Sequence, residues 1–362
     1  MSLRVELSVI VPTFNEVDNI FPMIGALDSA LKGIDWEVIF VDDDSKDGTV
    51  EKLIEACDTF PNVRRIHRIK RRGLSSAVVE GFQASTAPYM AVIDGDMQHD
   101  ETKLKDMLSV MQTGNFDLVV GSRYVPGGGT GDWDESRVKI SQTATKLSKI
   151  ISSVDLSDPM SGFFMITSEA FSKAVRHLSL QGYKILLDIA ASYPGTMRVD
   201  EVPYEFRSRQ FGESKLDSMV VMEFLFMLIE KFTRGVVPAK FIMFGLVGVS
   251  GVGVHFAILH SLFNVAGYSF LYAQAAATIV AMTSNFFINN WLTYYDSRVK
   301  GWRILTSLIA FYGVCSMGAV ANIGVANFVF EQDYTWWLSG FAGALVGSVW
   351  NYTASSILSW KK

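Results

Sequence analysis

The chain has 362 residues, 49% of them hydrophobic and 12% aromatic, and a formal net charge of −5, with a mean hydropathy of +0.24 that is too high for an ordinary soluble enzyme. Its two cysteines, Cys57 and Cys315, exclude a disulfide framework and fit a reducing compartment. The net charge averages a polar part and an apolar part, so it identifies no partner; nucleic acid is not expected among them.

The first apolar run is interrupted by Glu6 and ends at Pro12, unlike a signal peptide, so the N-terminal part is expected to stay where it is made. Residues 7–11 and 36–41 are short β-branched runs that read as buried parallel strands. Between them Ile20, Ile24, Leu27 and Leu31 recur at helical spacing, which completes a βαβ unit. Asp47-Gly48-Thr49 then turns the chain into a helix over 50–58. The alternation continues with strands over 63–69, 89–93 and 117–120 and helices over 75–84 and 101–112. This pattern is a doubly wound α/β sheet, whose ligands sit at the carboxyl ends of the strands.

Asn15 and Glu16, Asp42 to Asp44, Asp94 to Asp96 and Gly121-Ser122-Arg123 all fall at those ends. Asp94-Gly95-Asp96 offers two carboxylates across a small residue, with Gln98 as a further oxygen donor, a set that suits a hard divalent cation. Such a triplet also occurs in plain surface turns; its place after a buried strand, inside an acidic rim, favours the cation. The Asp42 to Asp44 run could merely cap the next helix, but packed carboxylates repel one another and call for a cation, base or ribose. The turn after the first strand, Pro12-Thr13-Phe14-Asn15-Glu16, has no G-x-G-x-x-G, which argues against a nicotinamide enzyme. Arg123, Arg137, Arg209 and Lys215 supply cations in or beside turn-rich segments, and Gly212 between the last two lets a loop fold over an anion.

From Arg137 to Ser153 the chain is basic, with Ile140, Ala144, Leu147 and Ile151 near one helical face. A helix on the cytoplasmic leaflet is expected there, against the alternative of an ordinary helix packed on the sheet. The apolar segment 219–229 is expected to be a second interfacial helix. No Asp, Glu, Lys or Arg occurs in residues 241–295, 304–330 or 334–360, and spans of about 20 residues are predicted over 241–263, 271–293, 304–328 and 336–358. Arg298, Lys300, Arg303, Lys361 and Lys362 are basic, whereas Glu331 and Asp333 are acidic; this puts both termini and the α/β part in the cytoplasm. His255, His260, Asn285, Asn289, Asn290, Asn322, Asn327 and Asn351, in or near the spans, read as interhelical hydrogen-bonding groups more than as a transport path.

Together, Pro12 to Glu16, Val41-Asp42-Asp43-Asp44-Ser45-Lys46-Asp47-Gly48-Thr49, Arg72-Gly73-Leu74-Ser75-Ser76-Ala77, Asp94-Gly95-Asp96-Met97-Gln98-His99, Gly121-Ser122-Arg123-Tyr124 and Ser161-Gly162-Phe163-Phe164 resemble the dolichol-phosphate (polyprenol-phosphate) mannose synthases of glycosyltransferase family 2. The match covers roughly residues 5–235, and the remainder is similar in topology to a GtrA-like four-helix membrane domain. The resemblance implies a cytoplasmic α/β GT-A catalytic domain over residues 1–235 followed by an all-α four-helix transmembrane domain over 236–362. It implies an inverting enzyme that moves mannose from GDP-mannose to a membrane polyprenyl or dolichyl phosphate, with Mg²⁺ or Mn²⁺.

Carried over by motif, Pro12, Phe14, Glu16, Val41 and Asp42 hold the nucleotide; Asp94, Gly95, Asp96 and Gln98 hold the metal and diphosphate. Arg123, Arg137 and Ser141 receive the acceptor phosphate, and Arg209 and Lys215 close over the donor. Gly95 and Asp100 depart from the family's usual Ala and Pro, and Asp100 adds an acid expected to bear on metal preference. The rival readings are a polyprenyl-phosphate glucose synthase using UDP-glucose and a non-catalytic lipid-sugar translocator or scaffold. A processive polysaccharide synthase is disfavoured because its Q-x-x-R-W motif is missing.

Overall fold

The computed structural model describes residues 5–131, 133, 135–149, 152, 154–179, 184–208, 228, 239–292 and 298–359. The chain divides into two compact units, Met1–Val236 and Val237–Lys362.

The first unit is built on a seven-stranded sheet. Its strands are β1 (Leu7–Thr13), β2 (Trp36–Asp42), β3 (Val63–His67), β4 (Tyr89–Val92), β5 (Leu118–Ser122), β6 (Phe164–Thr167) and β7 (Val199–Pro203), in the order β3-β2-β1-β4-β6-β5-β7. β1 lies parallel to β2 and β4, and its register sets Thr13 opposite Asp42 and Ile10 opposite Val92. The five strands expected from the sequence are all present. β6 was not anticipated: it runs antiparallel between β4 and β5, and β7 extends the sheet beyond β5.

Side chains alternate across each strand, so β1 and β2 feed two layers at once. Leu7, Val9, Val11, Val38 and Phe40 pack with Ile20, Met23, Ile24 and Leu27 of α1 (Ile20–Ala30) and with Leu104, Met107, Leu108 and Met111 of α4 (Lys103–Gly114). Ile10, Ile39 and Val41 face the other way, onto Ala77, Val78 and Phe82 of α3 (Leu74–Ala84) and Ile185, Leu186 and Ile189 of α7 (Ile185–Ser192). Each fully buried aliphatic side chain contributes about 1.5–3 kcal/mol, which is why these strands are apolar on both faces. The short helices α2 (Thr49–Thr59) and α6 (Ser168–Ala174) complete the layers.

Helix α5 (Glu135–Ser148) corrects one expectation. Its Ala144 and Leu147 pack against Met160 and Leu187, so this part of its apolar face covers the α/β unit, as an ordinary packed helix does, and is not free for a leaflet. The helix expected over 219–229 lies outside the described residues, apart from residue 228.

The second unit consists of α8 (Ala239–His260), extended by a wider turn at Ser261–Val265, α9 (Phe270–Trp291), α10 (Arg303–Phe330) and α11 (Trp336–Ser359). Leu246–Val265, Phe270–Trp291 and Arg303–Phe330 are each long and apolar enough to cross a membrane; in α11 the described apolar part is Trp336–Gly347. Val249, Ile279, Ile309, Met317, Val320 and Phe328 are exposed, as side chains facing lipid are. Small residues and amides fill the inside instead. A Cβ on Gly343 would meet that of Ala326 at 2.7 Å. Gln274 Nε2 donates to Asn322 Oδ1 at 2.7 Å, and Thr278 Oγ1 donates to the same oxygen at 3.2 Å. Asn322 therefore makes the interhelical bonds expected of it, with a Gln partner that the sequence did not single out.

Candidate active site

Four neighbouring parallel strands leave the sheet through a non-glycine residue at positive φ. These are Asn15 (φ 55°) after β1, Asp44 (φ 61°) after β2, Lys70 (φ 55°) after β3 and Met97 (φ 62°) after β4. Such conformations persist only where surrounding bonds fix them, and they gather at functional sites. Here the fixing bonds are visible. Asn15 N donates to Ser45 Oγ at 2.8 Å, Glu16 N to Thr49 Oγ1 at 3.0 Å, and Lys46 N to Asn15 Oδ1 at 3.1 Å. Asp47 in turn accepts from Thr49 Oγ1 at 2.6 Å. The β1 and β2 exits are thus stapled together before any ligand arrives.

Of the residues expected at the nucleotide, Glu16 and Asp42 are buried on these two exits. Glu16 accepts from Asn19 Nδ2 at 2.7 Å, and Asp42 accepts from Ser45 N at 3.0 Å and also from its hydroxyl. Pro12 sits opposite Val41 in the sheet, and the Val41 side chain belongs to the core. Phe14 lies under the Arg72 guanidinium, 4.2 Å from its ring centroid, a stacking that contributes about 0.5–1 kcal/mol at an open site. Motif reading gives Arg72 no role of its own; the signal for one is its place at the β3 exit, beside the β2 exit.

Beneath them Asp43 accepts from Gly73 N at 2.7 Å and pairs with buried Arg68, which also bonds Ser76 Oγ. Burial raises the Asp43 pKa, against the opposing pull of the Gly73 amide and Arg68.

The β4 exit carries Asp94, Gly95 and Asp96. A Cβ on Gly95 would stand 3.3 Å from the Pro12 carbonyl oxygen, so this loop lies directly on the end of β1. Asp96 is buried, and its Oδ1 accepts from Gln98 N at 3.2 Å. Asp94 Oδ2 bonds His99 Nε2 at 3.0 Å. Burial alone would raise the Asp94 pKa; the His99 bond, with the charges of Lys184 and Arg123, holds it below the usual carboxylate range. Asp94 is therefore available as an anionic oxygen donor, and with the Asp96 carboxylate two residues on it makes a donor set that fits a hard divalent cation. Among the described residues no three His, Cys, Asp or Glu side chains converge as a ready-made cage. Two protein carboxylates suit a cation that keeps places for substrate phosphate oxygens. Gln98 Nε2 donates to the Arg207 carbonyl at 3.0 Å.

Asp100 Oδ1 accepts from Thr102 Oγ1 at 2.6 Å and from Arg207 Nη2 at 2.7 Å, so the Arg207 guanidinium stands beside the acid that departs from the family's usual Pro.

Gly162 sets a steric condition on this loop. A Cβ there would lie 2.7 Å from Asp94 Oδ2, the oxygen that His99 holds. Gly162→Ala is expected to push that carboxylate aside and lower turnover roughly tenfold to a hundredfold, by analogy with disturbed ligand supports. Activity equal to wild type across a Mn²⁺ titration would refute this.

Arg123 is paired within the fold. Its Nε and Nη2 donate to Asp158 Oδ2 and Oδ1, each at 2.7 Å, and its backbone N donates to Oδ2 at 3.1 Å. Arg123 and Asp158 are both buried, and the Trp133 and Phe206 rings lie 4.8 and 5.6 Å from the guanidinium. One edge of the fork expected to receive an acceptor phosphate thus pairs with Asp158, a carboxylate that sequence reasoning missed. Ser141 accepts from Tyr124 Oη at 2.8 Å, next to this cluster. The Arg137 side chain, Arg209 and Lys215 lie outside the described residues.

Residues 8–174 match the model of glycosyl transferase family 2, and residues 243–360 match that of the GtrA/DPMS transmembrane domain. Sheet, acidic strand exits and apolar helices thus define a glycosyltransferase that is a membrane protein. The dolichol-phosphate mannosyltransferase of Pyrococcus furiosus is 32% identical over 98% of this chain and 99% of its own length. Those of Mycosarcoma maydis and Saccharomyces cerevisiae are 40% and 36% identical, over 65% and 64% of this chain and 83% and 88% of their own. The chain belongs to the dolichol-phosphate mannosyltransferases of glycosyl transferase family 2. A solved glucosyl-3-phosphoglycerate synthase from Mycobacterium tuberculosis, in complex with uridine diphosphate, aligns with a TM-score of 0.46 at 17% identity, over 62% of this chain and 79% of that one; this likeness is too remote to bear on the site.

Proposed function

We propose that the chain transfers mannose from GDP-mannose to the phosphate of a membrane dolichol or related polyprenol, with inversion at the sugar. The observation that carries this reading is the placement of carboxylates at the adjoining β1, β2 and β4 exits, in a chain that matches a dolichol-phosphate mannosyltransferase from end to end. Pro12, Phe14, Glu16, Val41 and Asp42 shape the nucleotide site. Asp94, Asp96 and Gln98 would hold Mg²⁺ or Mn²⁺ on the donor diphosphate, with Gly95 allowing the close approach to β1. Such a cation supplies charge neutralisation on the leaving diphosphate.

The acceptor phosphate is an anion at neutral pH, so its oxygen attacks the anomeric carbon without a general base. The carbon–oxygen bond to the diphosphate breaks and the nucleoside diphosphate departs. What the protein must supply is position and positive charge. Arg137 and Ser141 are assigned to the acceptor phosphate, and Arg209 and Lys215 to the donor diphosphate. Arg123, paired with Asp158, is assigned to holding the acceptor side in shape. Basic residues Arg298, Lys300, Arg303, Lys361 and Lys362 support a cytoplasmic site and cytoplasmic termini.

The test is transfer of labelled sugar to a polyprenyl phosphate by the purified full chain. Labelling from GDP-mannose, abolished by EDTA and restored by Mg²⁺ or Mn²⁺, is expected. Labelling from UDP-glucose alone would overturn the donor, and labelling unaffected by EDTA would overturn the cation.

A further inference from the structure

We propose that His99 is a positioning residue that aims Asp94 at the cation, and that Tyr204, from the segment after β7, anchors its ring from the other nitrogen. This rests on the cation reading of Asp94 and Asp96 given above.

His99 is only 2% exposed and uses both ring nitrogens: Nε2 bonds Asp94 Oδ2 at 3.0 Å and Nδ1 bonds Tyr204 Oη at 2.9 Å. The Asp94 carboxylate at Nε2 and the Tyr204 hydroxyl at Nδ1 hold the ring from both sides, so its orientation is fixed by the two bonds together. Rotation is blocked as well. Phe163 stacks on the imidazole with centroids 5.4 Å apart and planes at 29°, while Phe206 meets it edge-on at the same distance.

The result is a carboxylate held by one oxygen. Among the described residues no protein hydrogen bond falls on Asp94 Oδ1, and the side chain keeps 35% of its surface open. A purely structural His–Tyr bond would have no reason to end on a half-open carboxylate in an acidic rim. A histidine that presents one oxygen of a metal-binding carboxylate while its other nitrogen is fixed matches the general design of outer partners at metal sites, where losing such a partner costs 10–100-fold in metal affinity or activity. The link also spans the chain: Tyr204 is 105 residues from His99, and Arg207, three residues later, closes on the same loop through its N–H to the Gln98 carbonyl at 2.8 Å. The position of Asp94 is thereby tied to the root of the segment leading to Arg209 and Lys215.

The experiment measures Mn²⁺ binding to the purified full chain in detergent with GDP present, by electron paramagnetic resonance, together with the melting temperature. Tyr204→Phe, which removes one oxygen and keeps the ring, is expected to weaken Mn²⁺ binding about tenfold and to shift the half-saturating Mn²⁺ concentration in the transfer assay more than kcat at saturating metal. His99→Gln, which can still donate to Asp94, is expected to retain more affinity than His99→Ala. Tyr204→Phe binding Mn²⁺ as tightly as wild type overturns the proposal, even if its melting temperature falls. If His99→Ala does not fold, Tyr204→Phe decides alone. Wild-type protein that binds no Mn²⁺ removes the cation reading and this proposal together, whereas wild-type binding lost in Asp96→Asn but unchanged in Tyr204→Phe removes this proposal only.

Discussion

Asp96→Asn is expected to lower transfer by roughly 10²–10³-fold or more, the scale on which loss of one preorganised charge-stabilising group acts, while leaving the fold intact. The substitution keeps the side chain's shape and an oxygen able to accept from Gln98 N, the bond now made at 3.2 Å. It removes the negative charge and turns one carboxylate oxygen into an N–H donor. Asp96 is buried on the loop that rests against the end of β1, so an isosteric amide creates no cavity there, and the melting temperature should not move by more than a few degrees. A carboxylate that served only as a turn cap would tolerate the amide with near-normal turnover. Loss of activity with an unchanged melting temperature, and a Mn²⁺ requirement shifted beyond the measurable range, would place Asp96 at the cation. Turnover within a few-fold of wild type would take it out of the site.

What the sequence made legible follows the range of the forces involved. β1 and β2 were readable because strands buried on both faces are continuous apolar runs, and Val9 to Val11 and Val38 to Val41 are all buried. The acidic clusters were readable because a strand's end is marked locally, by Pro12 or by the Asp run itself. The membrane helices were readable because charge vanishes from them; α9 (Phe270–Trp291) lies within two residues of its expected bounds at either end. β6 was not legible, since a four-residue strand has too few alternations to declare a direction. Arg123 reads as a cation at a strand's carboxyl end, and its acceptor role is what the family motif implies. Its type is the same whether it waits for a phosphate or is filled by Asp158, 35 residues away, and no local pattern separates the two. His99 and Tyr204 share that limitation. Each is ordinary in its own segment, and the function proposed for the pair exists only once the fold sets them 2.9 Å apart.

Asp158→Ala should be the most destabilising single change in the first unit. It strips both carboxylate oxygens from a guanidinium that is 7% exposed, and although burial opposes that charge, the Asp158 pair holds the Arg123 pKa above the usual arginine range. Breaking a buried pair from one side leaves the other charge uncompensated and costs about 3–5 kcal/mol, which for a unit of this size lowers the melting temperature by roughly 10 °C. The aromatic rings of Trp133 and Phe206 do not replace the lost bonds, because they already face the guanidinium with Asp158 in place. The double variant Arg123→Met, Asp158→Leu separates the two roles open to Arg123. Apolar side chains of similar volume often replace a buried pair without loss of stability, so the double variant is expected to melt near wild type. If it also transfers mannose normally, Arg123 serves only to hold the acceptor side in shape, as assigned above. If it melts normally but transfer remains at least tenfold down, the guanidinium contributes charge to the acceptor phosphate in spite of its partner, and that assignment is wrong.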